Sequence, residues 1–128
     1  MRFSMFILDK KKPDVIVIVG DRYELLGCAI AAMISRTPIA HIHGGELTSG
    51  AYDDSIRHSI TKLSHLHFPV HDEYKKRLIQ LGENPKTIFN FGALGAHAIS
   101  KMKFFKKLEI ENILNIKLNK KIILATFH

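Results

Sequence analysis

The sequence has one cysteine and no long apolar run, and both shortages restrict where the protein can work. A lone thiol, Cys28, cannot form an internal disulfide, which is typical of proteins from a reducing compartment. The strongest apolar run, residues 15–19, is far too short to cross a bilayer. The first residues also lack the extended apolar core and the small-residue cleavage site of a secretory signal. We therefore expect a cytoplasmic protein that does not enter the membrane.

Acidic residues are scarce relative to basic ones, 12 against 19, so the formal net charge is +7. Many of the basic residues lie in two segments, residues 10–12 and 101–121. Lysine-rich solvated faces are common in proteins, so this charge does not by itself indicate a nucleic-acid partner, and we expect none. A small anionic substrate such as a nucleotide would benefit from the same positive field.

Short apolar segments alternate with amphipathic ones along the chain. The β-branched run at residues 15–19 has no polar alternation, which is typical of a strand that is covered on both faces. Further strands are predicted at residues 39–43, 66–70, 87–92 and 120–128. Helices are predicted at residues 22–36, 53–64, 72–83, 93–102 and 108–118. This alternation predicts an α/β fold with a parallel sheet and flanking helices.

Neither end of the predicted sheet is closed. Only one short apolar segment precedes the first strand, and no helix follows the last one. An open sheet of this kind exposes apolar surface unless neighbouring segments cover it. We therefore expect the chain to be part of a larger protein.

The segment HIHGGELTSGAYDDSIRH, residues 41–58, combines three histidines, three glycines and several charged groups. In open α/β sheets, ligands bind outside the carboxyl ends of the strands. Asp21 follows the first predicted strand, and His43 to Glu46 follow the second. Carboxylates from separate crossovers could share general acid and general base work. The pattern predicts a catalytic or anion-binding site at this edge of the sheet.

Purely structural roles account for the same residues. Asp21 and Asp53 are each suited to capping the helix that follows them. Arg57 lies four residues after Asp53, a spacing that suits a helical salt bridge. Gly44 and Gly45 could serve only a tight connection, because no glycine fingerprint of a phosphate-binding or dinucleotide-binding loop is present.

Four histidines alternate along two predicted strands, His41 with His43 and His65 with His67. Alternation places the two members of each pair on one face, so four ring nitrogens could in principle approach a metal. However, no cysteine lies nearby and no His-x-x-x-His helix motif occurs. We expect packed, hydrogen-bonded histidines and no metal site.

Several long motifs occur together and in a fixed order: PDVIVIVGDRYELLGCAIAA, IAHIHGGE, DDSIRHSITKLSHLHF, FGALG and KIILATFH. Together they resemble the hydrolysing UDP-N-acetylglucosamine 2-epimerases, in particular the branch that serves sialic-acid and legionaminic-acid pathways. The resemblance implies a partial glycosyltransferase-B-type fold, in which two Rossmann-like domains face each other. Residues 1–100 would be the later part of the N-terminal domain, residues 101–120 a linker helix region, and residues 121–128 the first strand of a truncated second domain.

The resemblance also implies a reaction. The C2 proton and UDP leave UDP-N-acetylglucosamine, and water then adds to the resulting glycal to give N-acetylmannosamine. UDP-diacetylbacillosamine would make similar demands, and neither sugar requires a metal or another cofactor. We expect the isolated chain to be inactive, with a second copy or a complementing chain as partner. The alternatives are a non-catalytic fragment that binds nucleotides or other anions, and a flavodoxin-like interaction domain.

The roles of the family's residues can be carried over only where the motifs match. The residues that the resemblance implies as catalytic are Asp21, Glu46, Asp53 and His128. Those implied in substrate binding are Arg57, His43, Gly44 and Gly45. Many family members have glutamate at the position of His43, so either His43 transfers the proton here or Glu46 supplies the carboxylate.

Overall fold

The computed structural model describes residues 2–48, 52–119 and 121–126. Contacts divide the chain into two compact units, Met1–His97 and Ala98–His128. The helices are α1 Arg2–Lys11, α2 Tyr23–Ile34, α3 Asp53–Leu63, α4 Asp72–Gln80, α5 Leu94–Lys101 and α6 Lys107–Leu114, with a 3-10 turn at Pro85–Thr87. The strands are β1 Ile16–Val19, β2 Ile39–Ile42 and β3 Leu66–Phe68.

The three strands form one parallel sheet in the order β1-β2-β3. Ile16 lies opposite Ile39, and Ala40 lies opposite Leu66. Each crossover carries a helix, as expected for parallel strands that follow one another in sequence. The predicted α/β class, with a Rossmann-like parallel sheet and flanking helices, is confirmed.

The core lies between the sheet and the helices that pack on it. Helix α2 contributes three fully buried alanines, whose small side chains allow close packing of neighbouring elements. Further buried members come from α1, β1, β2 and α3: Leu8, Ile18, Ile39 and Ile60. These residues and the alanines of α2 hold α1, α2, α3, β1 and β2 together around one core.

Strand β1 is covered on only one face, contrary to the sequence-based expectation. Ile18 points into the core and is 2% exposed, whereas Val17 is 58% exposed and Val19 50%. Within residues 2–48, 52–119 and 121–126, the face that carries these valines is open to solvent. An unbroken run of β-branched residues therefore did not show whether one face or both faces of the strand are buried.

Two of the predicted strands do not form in the part of the chain that the structure describes. At residues 87–92, Ile88 makes only an isolated parallel bridge to His67, and the Phe89 N–H donates to the His67 carbonyl at 2.8 Å. Residues 121–126 are not in a strand either. A strand needs a hydrogen-bonded neighbour as well as strand-like residues. The assignment of residues 121–128 to a second domain stays a prediction.

The first helix was not predicted, because its residues were interpreted only as a short apolar segment. It is α1, and its Leu8 joins the core. In the second unit, α6 is followed by its C-cap residue Asn115, which takes the left-handed conformation often found at helix ends, with φ 52°. In the described ranges of the chain, none of the helices is both long and apolar enough to cross a membrane.

Candidate functional site

Arg57 of α3 is a buried cation, with only 5% of its side chain exposed. Its Nη2 donates to the carboxylate of Asp21 and to Oγ1 of Thr48, the latter at 3.1 Å. Its Nη1 donates to Oδ1 of Asp54 and to the carbonyl of Glu46, both at 2.8 Å. One guanidinium therefore joins the end of β1, the loop after β2 and the first turn of α3.

The structural alternatives predicted for this region are not the ones observed. Arg57 pairs with Asp54, three residues before it, and not with Asp53. Asp21 does not cap α2, because the N-cap residue is Arg22 and neither α2 nor α3 has a side-chain cap. Asp21 instead makes a long-range ion pair, and Asp53 is left outside the arginine network.

Asp21 and Asp53 line one cavity of about 270 Å³ at the carboxyl edge of the sheet. The other lining residues are Arg22, Tyr23 and Tyr52. The expectation that carboxylates from separate crossovers meet at this edge is therefore met for Asp21 and Asp53. Such a pair, one ion-paired and one not, could divide acid and base roles in a proton-transfer reaction.

Glu46 is not among the residues that line this cavity, but it lies next to the arginine network. Its carboxylate Oε1 is 2.6 Å from Nδ1 of His43, and its carbonyl accepts from Arg57. Both side chains of the pair are about one-third exposed, 32% for His43 and 27% for Glu46. The side chains of His43 and Glu46 are therefore in direct contact, and the role of each in catalysis stays a prediction.

Gly45 is required by close packing, and Gly44 lies in a tightly packed position. A Cβ on Gly44 would lie 3.2 Å from Nδ1 of His41 and 3.2 Å from Oγ1 of Thr61. Gly45 has φ +83°, and a Cβ there would lie 2.5 Å from the carbonyl oxygen of Tyr74 in α4. These contacts account for both glycines without a ligand, and their role in substrate binding stays a prediction.

Two histidines of the sheet, His41 and His67, are packed inside the protein. His41 is fully buried, with Nδ1 3.1 Å from Oγ1 of Thr61 and Nε2 2.9 Å from the carbonyl of Gly20. His67 is also fully buried, and its Nε2 lies 3.1 Å from Oε2 of Glu83. Among the residues that the structure describes, no cluster of three or more His, Cys, Asp or Glu could hold a metal ion.

Burial changes the titration of both rings. It lowers the pKa of His41 from 6.5 to about 4. It also lowers the pKa of His67, although the nearby Glu83 acts in the opposite direction. Both imidazoles are therefore neutral in the folded protein near neutral pH.

The free energy of unfolding is expected to fall when the pH drops below 6.5. In the unfolded chain His41 binds a proton near that pH, whereas in the folded chain it does so only near pH 4. One pKa unit corresponds to about 1.4 kcal/mol, so this group alone lowers the free energy of unfolding by about 3 kcal/mol over that interval. Urea unfolding at a series of pH values measures the effect. The His41→Gln variant should show a shallower loss, and an identical pH dependence in both proteins would contradict the assignment.

Three residues of this region were not singled out from the sequence. Thr48 and Asp54 belong to the arginine network, and the Thr48 N–H donates to Oδ1 of Asp54 at 2.8 Å. Arg77 of α4 donates to the carbonyl of Gly45. The spacing of Asp54 to Arg57 was a readable signal, whereas the other two contacts depend on tertiary placement. His128 lies outside the described residues.

Comparison with known proteins supplies independent findings. The sequence model of the family described as UDP-N-acetylglucosamine 2-epimerase matches residues 4–128. A Campylobacter jejuni protein named GDP/UDP-N,N'-diacetylbacillosamine 2-epimerase (hydrolyzing) is 50% identical over 130 residues, which cover 100% of this chain and 34% of that protein. A Neisseria meningitidis protein named UDP-N-acetylglucosamine 2-epimerase is 50% identical over 92 residues, 71% of this chain and 24% of its own length.

A solved structure has the same fold. The crystal structure of a Listeria monocytogenes protein, described as a putative UDP-N-acetylglucosamine 2-epimerase, matches with a TM-score of 0.77 at 20% identity. The match covers 88% of this chain and 32% of that one. The chain thus spans about a quarter to a third of the length of these proteins.

Proposed function

The chain belongs to the UDP-N-acetylglucosamine 2-epimerase family, and from this premise we propose that it supplies the proton-handling side of a hydrolysing nucleotide-sugar 2-epimerase site. The substrate class is a UDP-linked 2-acetamido sugar. The observation that supports this proposal best is the cavity at the carboxyl edge of the sheet, which two carboxylates from separate crossovers, Asp21 and Asp53, line together.

The reaction needs a base at C2 of the sugar, a group that orients water near C1, and support for the departing diphosphate. In our proposal Asp21 and Asp53 contribute to proton transfer and water orientation, with the pair His43 and Glu46 beside them. His128 is proposed as a further catalytic group. No cofactor is part of the proposal.

Arg57 receives a different role from the one implied by the resemblance. Its Nη1 and Nη2 each donate to two protein acceptors, and its side chain is almost fully buried. A guanidinium whose terminal donors are already paired is poorly placed to bind a diphosphate. We propose that Arg57 positions Asp21 and the loop after β2.

Residues 1–100 are proposed as the later part of an N-terminal Rossmann-like domain, residues 101–120 as a linker region, and residues 121–128 as the start of a second domain. A cleft between two domains positions substrate against catalytic groups, and loss of positioning alone removes many orders of magnitude of rate. We propose that activity requires a complementing chain or segment, or a second copy, and that the protein works in the cytoplasm. Both UDP-N-acetylglucosamine and UDP-N,N'-diacetylbacillosamine are proposed substrates.

A chimera tests this function. The chain replaces the matched 130-residue segment of the Campylobacter relative, and release of UDP is measured with each sugar nucleotide. We expect turnover from the chimera and none from the isolated chain. Asp21→Asn and Asp53→Asn should each lower kcat by about 100-fold or more, as expected for the loss of an acid or base.

Asp14→Asn is the matched control, because Asp14 is exposed and precedes β1. It should leave kcat within about twofold, as is usual for a surface change. A chimera that unfolds cooperatively yet releases no UDP from either sugar would contradict the proposal. Unchanged turnover in both Asp21→Asn and Asp53→Asn would also contradict it.

A further inference from the structure

His43 has an unusual backbone conformation immediately after β2. Its φ is +66°, in the left-handed region that non-glycine residues seldom occupy. Residues held in such conformations are often found at functional sites, where the surrounding structure fixes them. The conformation turns the chain from the strand into the loop that carries Glu46.

The loop itself is fixed from two sides. Arg57 of α3 donates to the carbonyl of Glu46 at 2.8 Å, and Arg77 of α4 donates to the carbonyl of Gly45. Gly45 lies so close to α4 that a Cβ would overlap the Tyr74 carbonyl. The 2.6 Å contact between the side chains of His43 and Glu46 therefore joins two residues whose backbones are held in place.

This contact determines which ring nitrogen of His43 carries the proton. A carboxylate oxygen only accepts hydrogen bonds, so Nδ1 must be the donor. In the neutral ring the lone pair then lies on Nε2. Among the described residues, none forms a hydrogen bond with Nε2 of His43, and the side chain is 32% exposed.

His41, two residues earlier and within β2, has the opposite arrangement. Its Nε2 faces the carbonyl of Gly20, which can only accept, so its proton lies on Nε2 and Nδ1 accepts from Thr61. His41 is fully buried and has both nitrogens paired. The chain thus contains a structural histidine and a solvent-facing one with opposite tautomers.

We propose that Glu46 is a positioning residue that holds His43 in the Nδ1–H tautomer, so that Nε2 of His43 is the proton acceptor for C2 of the sugar. This inference rests on the proposed function. Nε2 forms a bond to the C2 proton, the C2–H electron pair becomes the C1=C2 double bond, and the C1–O bond breaks with its electrons on the departing UDP. The carboxylate of Glu46 stabilises the imidazolium that results, as carboxylates do for histidine bases.

Nitrogen NMR of the ¹⁵N-histidine-labelled chain tests the tautomers. At a pH of about 8, where histidine rings are mostly neutral, the ring ¹⁵N shifts and their long-range couplings to carbon-bound protons identify the protonated nitrogen. We expect His43 to be protonated on Nδ1 and His41 on Nε2. Glu46→Ala should move His43 toward the Nε2–H tautomer, whereas Glu46→Gln, whose amide oxygen still accepts, should retain Nδ1–H in most molecules.

Glu24→Gln is the matched control, because Glu24 pairs with Arg22 on the surface, and it should change neither ring. A wild-type His43 protonated on Nε2, or a tautomer unchanged in Glu46→Ala, would overturn the inference. Because the spectra need no turnover, an inactive chimera would contradict the proposed function while leaving the tautomer result intact.

Discussion

Replacing Arg57 by alanine is expected to lower the free energy of unfolding by about 3–5 kcal/mol, the range found when one partner of a buried ion pair is removed. The guanidinium is 5% exposed and pairs with both Asp21 and Asp54. Without it, the two carboxylates repel each other and the carbonyl of Glu46 loses its donor. The loss arises chiefly from charges left uncompensated.

Urea unfolding of the variant and the wild-type chain measures this effect. Small domains have a total stability of about 5–15 kcal/mol, so the alanine variant could be mostly unfolded. Arg57→Lys is therefore a second variant. It keeps the charge but loses the planar fork that contacts four acceptors, and it should be destabilised less than the alanine variant.

Two further variants test whether uncompensated charge, and not a general disruption of the fold, destabilises Arg57→Ala. Arg22→Ala removes an exposed arginine paired with Glu24 and should change stability by no more than about 0.5 kcal/mol. Adding Asp21→Asn and Asp54→Asn to Arg57→Ala should recover about 1 kcal/mol or more, because it removes the unpaired charges. If these asparagines made the variant still less stable, the explanation by uncompensated charge would be wrong.

Gly45→Ala is expected to lower the free energy of unfolding by about 4 kcal/mol, which combines about 1–2 kcal/mol for a left-handed backbone with up to about 3 kcal/mol for overpacking. The new Cβ would lie 2.5 Å from the carbonyl oxygen of Tyr74 and 3.1 Å from Cγ of Leu78. The close atom belongs to the backbone of α4, so a rotamer change cannot relieve the overlap.

Gly20→Ala isolates the backbone contribution. Gly20 has nearly the same φ, +81°, but a Cβ there meets nothing within 4 Å. It should lose only about 1–2 kcal/mol, the backbone component alone. Thermal or urea unfolding of both variants provides the comparison, and equal losses would show that the approach of the loop to α4 is not what requires glycine at position 45.

The sequence predicted the elements that form the sheet but not all of their partners. Short apolar runs located β1, β2 and β3 to within a residue or two. This was possible because the tendency to form a strand is a local property of the sequence. The predicted strand at residues 87–92 is only a bridge at Ile88. Strand formation there depends on a neighbour, and no property of the segment itself reports whether the neighbour is present.

The position of the candidate site was predicted only in part, because some of its contacts depend on tertiary packing. Parallel topology alone places the carboxyl ends of β1 and β2 at one edge, which correctly brought Asp21 and Asp53 to a common cavity. The ion pair between Arg57 and Asp21 could not be predicted, because it spans 36 residues and depends on how α3 packs. The left-handed conformation of His43 likewise has no signature in the sequence.

The arginine network also has an electrostatic consequence for the direction in which a ligand can enter. Asp21, Asp53 and Asp54 together carry three negative charges against the single positive charge of Arg57, and the neighbouring Arg22 is already neutralised by Glu24 at 3.0 Å. A pyrophosphate would be repelled from such a surface. Under the proposed function, a sugar nucleotide would therefore approach with its hexose leading and its phosphates directed away from this acidic rim.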